Sequence, residues 1–346
     1  MSNMQDLVVS QIEKNTTDAV VLTFDVPAAL QSSFQFQAGQ YISLETTLAG
    51  QQVRRSYSIC AAPYENCLQV GIKKVPNGLF STYAASTLKV GDQLKVSLPE
   101  GRFVYVPDST PKTIAAFASG SGITPIMAII KEHLKAHPKN QFHLVYGNKS
   151  PEQTMFYQAL QELATTYASQ LSIVWVFSRT QSNGALFGRI DQSVVHYYQK
   201  QRNSEAAAYY VCGPEGMLDV VRETLEKQGV PSAIIHRELF HVTSTETPQA
   251  VSSDDVSLTV IHDEMQHTLS SKGNVTLLDA ALNAKLDVPY SCQGGVCSSC
   301  IARVKKGSAQ MQTNQILTDS EVEEGLVLTC QAIPQSAAIT VDYDDV

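Results

Sequence analysis

The chain has 346 residues, too many for one ordinary core, so two or three domains are expected. Hydrophobic residues make up 43% and charged residues 17%, a globular balance that excludes a largely disordered chain. The formal net charge of −8 argues against a nucleic-acid footprint.

Met1–Glu13 lacks a basic start followed by an apolar stretch, so no signal peptide is expected. No apolar run approaches the length needed to cross a bilayer, and a cytoplasmic location is expected. Residues 1–108 read as short strands broken by turns: Leu7–Ile12, Val20–Asp25, Gln40–Glu45, Arg54–Cys60, Leu68–Lys73 and Gln93–Ser97. A small antiparallel β-barrel closes that many short strands. Arg55-Ser56-Tyr57-Ser58 ends one strand, a pattern shared with any strand end that exposes an Arg and buries a Tyr. Gly78-Leu79-Phe80-Ser81-Thr82 leads into a helix expected over Tyr83–Thr87. Free N–H groups at that start suit an anion such as a pyrophosphate, with Gly78 allowing close approach.

The pattern changes near Pro111. Over residues 109–243, strands at Thr113–Ala118, Gln141–Tyr146, Leu171–Phe177 and Ala207–Cys212 alternate with helices at Pro125–Leu134, Met155–Tyr167 and Gly216–Gln228. Such alternation predicts a doubly wound parallel sheet. Ser119-Gly120-Ser121-Gly122-Ile123-Thr124-Pro125 follows a strand and opens a helix. It is G-x-G-x-x-P and not the six-residue dinucleotide fingerprint, but the physics is shared. Glycines expose backbone N–H groups, and Pro125 suits a first helical turn. A later strand ends in Cys212-Gly213-Pro214-Glu215-Gly216-Met217, where an inert buried thiol is the alternative reading of Cys212. The third strand ends in Phe177-Ser178-Arg179, and an Arg there accommodates a 2′-phosphate, so NADPH is expected ahead of NADH. Arg189 either assists or is a solvated surface charge.

Residues 244–254 have linker composition, overlapping the run Thr243-Ser244-Thr245-Glu246-Thr247-Pro248. In the final segment, 255–346, Ser257–His262 and Gln266–Ser270 read as a hairpin and Thr276–Ala284 as an amphipathic helix. This segment holds 12 acidic and 5 basic side chains, a net of −7, against 21 and 20, a net of −1, before it. An acidic module on a nearly neutral body suits docking to a basic protein surface, with solubility as the alternative.

Seven cysteines in an intracellular chain point to metal or redox use before disulfides. Cys60, Cys67 and Cys212 are scattered, whereas Cys292, Cys297 and Cys300 are spaced C-x4-C-x2-C, with 29 residues between Cys300 and Cys330. This is plant-type 2Fe–2S spacing, in which a tight loop supplies three thiolates and a distant strand the fourth. Gly294 and Gly295 are expected to take φ > 0 and to bring N–H groups near the sulfurs. Zinc, the alternative, usually takes paired knuckles, and Cys330 has no CxxC partner.

Residues 256–346 thus resemble plant-type ferredoxins, and the segments before them are similar to the ferredoxin–NADP reductase family. The fold implied is an antiparallel flavin-binding β-barrel, a doubly wound parallel nucleotide-binding sheet and a C-terminal β-grasp ferredoxin. By that resemblance Arg55 pairs with the phosphates of FAD, Tyr57 packs on the flavin and Ser58 offers a hydrogen bond near N5. Gly78, Ser81 and Thr82 hold the flavin pyrophosphate, while Gly120, Gly122 and Thr124 form the dinucleotide loop. Cys212, Gly213 and Pro214 lie beside the nicotinamide, and Ser178 and Arg179 by the 2′-phosphate. Phe240, in Glu238-Leu239-Phe240, covers the flavin face; Glu238 joins this catalytic group or is only a surface charge. Cys292, Cys297, Cys300 and Cys330 ligate the 2Fe–2S cluster.

The domain order, with Arg-Arg-Ser-Tyr-Ser-Ile-Cys and Pro-Tyr-Ser-Cys-Gln-Gly-Gly-Val-Cys, resembles the reductase components of the phenylacetyl-CoA epoxidase type, in phenylacetate catabolism. The resemblance implies electron transfer from NADPH through FAD and the cluster to a multisubunit diiron oxygenase. No paired E-x-x-H motifs place a diiron centre in this chain, so oxygen chemistry belongs to the partner. The alternatives are reductases for a ring hydroxylase, a fatty-acyl desaturase or a hybrid-cluster protein, and a redox sensor or binding module.

Overall fold

The computed structural model describes residues 4–201, 205–240 and 255–346. They form two compact units, one ending at Phe240 and the other running to Val346. The expected linker, 244–254, lies outside the described residues.

The first half of the first unit contains β1 (Met4–Thr16), β2 (Ala19–Asp25), β3 (Tyr41–Leu48), β4 (Gln51–Ser58), β5 (Leu68–Lys73), α1 (Leu79–Ser86) and β6 (Gln93–Ser97). All pairings are antiparallel, in the order β4-β3-β6-β1-β2-β5. An Ile59–Val70 bridge joins the two edge strands and closes the sheet into a barrel. Alternation sets which face is inside: Leu94 and Val96 are buried while Gln93 and Lys95 are exposed. Leu22, Ile42, Leu44, Val70 and Ile72 fill the same core.

The second half runs β7 (Thr113–Ser119), α2 (Ile123–Ala136), β8 (Gln141–Asn148), α3 (Tyr157–Thr166), β9 (Leu171–Phe177), β10 (Leu186–Phe187), α4 (Gln192–Lys200), β11 (Ala208–Gly213), α5 (Glu215–Lys227) and β12 (Ile235–Leu239). The sheet is fully parallel, ordered β10-β9-β8-β7-β11-β12. Ile114–Ala118 are buried without interruption, as a central parallel strand requires. Strand order reverses between β7 and β11, and ligands of open α/β sheets bind at the carboxyl ends beside such a reversal.

A buried joint ties the two halves together. His133 Nε2 lies 3.2 Å from the carbonyls of both Lys112 and Gln141, and Nδ1 lies 2.8 Å from the Tyr105 hydroxyl. Carbonyls only accept, so Nε2 carries the proton and Tyr105 donates to Nδ1. Burial pushes the His133 pKa down to about 4, keeping the ring neutral. The Tyr210 hydroxyl donates to Val104 O at 3.1 Å, and Lys131 pairs with Glu65 at 2.9 Å.

The second unit contains β13 (Asp255–His262), β14 (Met265–Lys272), α6 (Leu277–Asn283), β15 (Ile301–Lys306), β16 (Ala309–Met311), α7 (Asp319–Glu323), β17 (Leu326–Leu328), β18 (Ala332–Pro334) and β19 (Ala338–Asp342). Its main sheet is ordered β14-β13-β19-β15-β17, parallel only between β13 and β19, and β16 pairs with β18. The Thr276 hydroxyl accepts from Asp279 N at 3.1 Å and caps α6, whose Leu277, Leu278, Ala280 and Ala281 are buried. This is the β-grasp arrangement. No helix among the described residues is long and apolar enough to cross a membrane.

Three expectations need correction. α1 starts at Leu79 and not Tyr83, because Gly78 is an extended N-cap whose carbonyl already accepts from Thr82 N at 3.0 Å. α3 starts at Tyr157 and not Met155, because Phe156 is left-handed at φ 58°. In the cysteine loop Gln293 (φ 56°) and Gly295 (φ 72°) take positive φ, and Gly294 does not.

Candidate functional site

The glycine loop turns tightly over Gly120–Gly122 and runs straight into α2. Gly122 has φ −60°, a conformation open to any residue, so its requirement is purely one of space. A Cβ there would lie 2.2 Å from the carbonyl oxygen of Cys212. The loop is thus pressed against the end of β11, where Cys212 and Gly213 follow each other. Tyr146, buried under the loop, donates its hydroxyl to Gly120 O at 2.9 Å and fixes the turn from below. Thr124 is buried, its hydroxyl donating to Ser121 O at 3.0 Å, so its side chain braces the loop from inside.

At the end of β9, Ser178 N donates to Asn148 O and Arg179 N to Lys149 O, both at 3.0 Å. These bonds hold the exposed Arg179 side chain at the carboxyl edge of the sheet. β10 sets Phe187 opposite Phe177, with 63% of Phe187 exposed. Sequence reasoning missed Phe187 because a two-residue strand leaves no periodicity; an aromatic ahead of Gly188-Arg189 is the only signal. Arg189 is exposed.

Ser58, Glu238 and Cys212 come together although 180 residues separate the first two. The Ser58 hydroxyl donates to Glu238 Oε2 at 3.4 Å, and Glu238 lies directly opposite Cys212 in the β11–β12 register. All three are buried, which corrects the surface reading of Glu238. Burial pushes the Glu238 carboxyl up to about 8, against the smaller opposing pull of the Ser58 hydrogen bond. Burial also pushes the Cys212 thiol well above its usual range, and Glu238 adds to that. At neutral pH the trio is therefore uncharged and rich in protons. Phe240, half-buried, packs against the core of the sheet.

This arrangement has a pH signature. A carboxyl raised in the folded state stabilises the fold fully below its unfolded pKa, and that stability is lost as pH rises through the folded value. The Glu238 contribution to stability should therefore fall between about pH 4.5 and about 8, with a slope of at most ~1.4 kcal/mol per pH unit, while neutral His133 contributes the opposite slope below about pH 6.5. Glu238→Gln should remove that falling component, so that in urea titrations the stability difference from wild type changes with pH across the same range. An unchanged slope would show that Glu238 is not held neutral.

On the barrel, Tyr57 stands 5.6 Å from Phe80 between ring centroids, and Arg55 extends into solvent with Nη1 donating to Arg54 O at 2.7 Å. Burial pushes the Tyr57 hydroxyl up, so it stays protonated. The free N–H groups at the start of α1 belong to Leu79, Phe80 and Ser81. Ser81 is buried and its hydroxyl accepts from Val75 N at 3.2 Å, which leaves its backbone N–H as the group available to an anion. An exposed guanidinium, an aromatic ring and a helix start fit a flavin dinucleotide.

In the second unit the four late cysteines converge. Cys292 reaches Cys297 and Cys330, and Cys300 reaches Cys330, within hydrogen-bonding range. Cys297, Cys300 and Cys330 are buried. Hydrogen bonds from Cys297 and then Cys330 hold the Cys292 thiol below its usual range. Gly294 N adds a contact to Cys292 Sγ at 3.3 Å. Gly295, at φ 72°, has no room for a side chain, since a Cβ would meet Thr313 O at 2.9 Å. The Gln331 amide donates to Gln293 O at 2.9 Å and ties the loop to the segment carrying Cys330. A four-thiol donor set with backbone N–H groups at its edge fits a 2Fe–2S cluster.

Comparison with known proteins agrees with this geometry. Residues 6–105 match the oxidoreductase FAD-binding domain, 117–223 the oxidoreductase NAD-binding domain and 260–335 the 2Fe-2S iron-sulfur cluster binding domain. The chain is 36% identical to one subunit of 1,2-phenylacetyl-CoA epoxidase from Escherichia coli (strain K12), over 99% of each chain. It is 30% identical to the ferredoxin reductase component of 3-ketosteroid-9-alpha-monooxygenase from Mycobacterium tuberculosis (strain CDC 1551 / Oshkosh), over 98% of this chain and 96% of that one. Phthalate dioxygenase reductase matches in structure with a TM-score of 0.63 and 25% identity, over 98% of each chain. The chain is thus an NAD(P)H-dependent electron-transfer oxidoreductase, and it belongs to the family of flavin and 2Fe–2S reductase components of oxygenase systems that includes this phenylacetyl-CoA epoxidase component.

Proposed function

We propose that this chain oxidises NADPH and supplies single electrons to the diiron component of a multisubunit oxygenase, phenylacetyl-CoA epoxidase. The observation that carries the reading is full-length similarity to a component of that enzyme at 36% identity. When bound, FAD accepts a hydride and releases its electrons singly, and a 2Fe–2S cluster carries one at a time. The chain's own residues bind, orient and exclude water. Arg55, with the N–H groups of Leu79, Phe80 and Ser81, holds the flavin phosphates, aided by Gly78 and Thr82, and Tyr57 packs on the ring. Gly120 and Gly122 admit the NADPH pyrophosphate to the start of α2, with Thr124 bracing the loop. Cys212, Gly213 and Pro214 line the nicotinamide position and Phe240 covers the flavin face. Ser58 and Glu238 keep a proton beside the reacting atoms. Ser178 and Arg179 take the 2′-phosphate, with Phe187 offering its exposed ring to the adenine. Cys292, Cys297, Cys300 and Cys330 ligate the cluster. Residues 1–108, 109–243 and 255–346 are the corresponding domains, with 244–254 as linker.

Two measurements test this. Phenylacetyl-CoA turnover by the other epoxidase components should depend on this chain and NADPH; ferricyanide reduction without such turnover would refute the partner assignment. Arg179→Glu should raise the NADPH KM about ten- to a hundredfold, the equivalent of about 1.5–3 kcal/mol for a lost charge-assisted contact, while leaving the NADH KM nearly unchanged. Equal effects would remove Arg179 from phosphate recognition.

A further inference from the structure

Next to the cysteine site lies a buried hydroxyl chain that no part of the proposed reaction uses. Tyr343 follows the last strand and is 7% exposed, and Thr329, the neighbour of Cys330, is 0% exposed. The Tyr343 hydroxyl donates to Thr329 Oγ1 at 2.9 Å. The Thr329 hydroxyl in turn donates to the Cys300 carbonyl at 2.9 Å, and Thr329 N donates to the same carbonyl at 3.0 Å. Thr329 O accepts from Leu278 N at 3.1 Å, so every polar group of this residue is engaged.

The direction of these bonds matters. A threonine hydroxyl has one proton and can rotate it among acceptors. Tyr343 occupies its lone-pair side, and the remaining proton faces Cys300, whose carbonyl accepts it and whose sulfur is also within hydrogen-bonding range of the hydroxyl. Cys300 and Cys330 are far apart in sequence, yet Thr329 joins them as covalent neighbour of one and double donor to the other. Tyr343 is itself fixed: its N–H donates to Ile261 O at 2.9 Å, and its ring meets His262 edge-on at 5.8 Å. A buried tyrosine hydroxyl needs a partner, and here Thr329 is that partner.

We infer that Tyr343 is a positioning residue for the iron–sulfur site, holding Cys300 and Cys330 in fixed relation through the Thr329 hydroxyl. This rests on the reading that the four cysteines hold a 2Fe–2S cluster. Tyr343 touches neither iron nor sulfur in this role. Its hydroxyl sets the carbonyl that orients one ligand and the residue that carries the other.

The test uses the full holoprotein, with Tyr343→Phe, Thr329→Val, Thr329→Ser and the Phe/Val double variant. Iron release to a chelator, followed by loss of visible absorbance, should be about three- to tenfold faster in Tyr343→Phe, the range expected for one buried hydrogen bond. Thr329→Val should release iron at least as fast, and the double variant no faster than Thr329→Val alone, because both changes break one chain. The two single variants should share one altered electron paramagnetic resonance spectrum after dithionite reduction. Thr329→Ser, which keeps the hydroxyl, should restore the wild-type spectrum and rate. Wild-type release and spectrum in Tyr343→Phe would overturn the inference, and so would effects that multiply in the double variant. A wild-type protein holding zinc, with no iron–sulfur spectrum, would instead overturn the cluster reading on which it rests.

Discussion

Cys330→Ser should abolish electron delivery to the oxygenase while leaving NAD(P)H oxidation with small acceptors intact. Cys330 is the one late cysteine outside the tight loop, and it reaches both Cys292 and Cys300. Removing it takes away the only sulfur supplied from outside that loop. Loss of outer-shell partners costs about 10- to 100-fold at metal sites, so loss of a ligand should lower partner-coupled turnover by more than about 100-fold. The barrel and parallel sheet have their own cores in the other unit, and neither contains Cys330. Ferricyanide reduction by NADPH should therefore remain at the wild-type level. The decisive comparison is iron content, ferricyanide rate and partner-coupled rate on the same preparation. Full partner activity with an intact cluster spectrum would mean that the fourth ligand lies elsewhere.

Gly122→Ala should disable the nucleotide side just as selectively. The added Cβ would sit 2.2 Å from Cys212 O, 2.5 Å from Cys212 C and 2.9 Å from Gly213 N, all backbone atoms of one parallel strand. No flexible side-chain end can yield, so the loop or the end of β11 must move. A displacement of roughly 1 Å at a reacting geometry costs about 100-fold, and that loss is expected in NADPH-dependent ferricyanide reduction. Gly229→Ala, after α5 and outside the site, is the control. Gly229 has φ 87°, but nothing lies within 4 Å of its Cβ position, so its substitution should carry only about 1–2 kcal/mol of backbone strain. Similar losses in the two variants would show that contact with Cys212 does not set the site.

Much of this was legible in the residues, for identifiable reasons. Leu68–Lys73, Gln93–Ser97 and Leu171–Phe177 occur with the expected bounds, because each is a short apolar or alternating run between clear turn residues. The expected start of α1 falls too late because Leu79-Phe80 after a glycine carries no polar N-cap signal. α4 does carry one: Asp191 accepts from Val194 N at 3.0 Å, a cap visible in Asp191-Gln-Ser-Val194. β10, with two residues, and β12, with five, hold their places through pairing with β9 and β11, which local pattern does not encode. The Glu238 environment was illegible for the same reason, since its neutrality depends on burial at the sheet edge, which outweighs the opposing hydrogen bond from Ser58 of the barrel. Of the two loop glycines, Gly295 takes the expected positive φ, with Thr313 and Gln331 closing the space around it, whereas Gln293 and not Gly294 supplies the other, which nothing in the sequence signals.

The joint around His133 bears on how such proteins can be recombined. Flavin barrels and nucleotide sheets invite exchange between relatives, as if each were a self-contained cassette. Here the imidazole on α2 needs the hydroxyl of Tyr105 from the barrel side and the carbonyl of Lys112 from the connecting segment. A chimera cut between them would inherit one half of the joint without the other unless the incoming half supplied the same partner. The orphaned group would sit in a space closed to water, where an unmatched hydrogen-bonding atom costs about 1–3 kcal/mol. That is enough to weaken the packing of the barrel against the parallel sheet. Viable exchange points should therefore fall outside Tyr105–Gln141, so that the barrel's exit segment, the connector and α2 travel together.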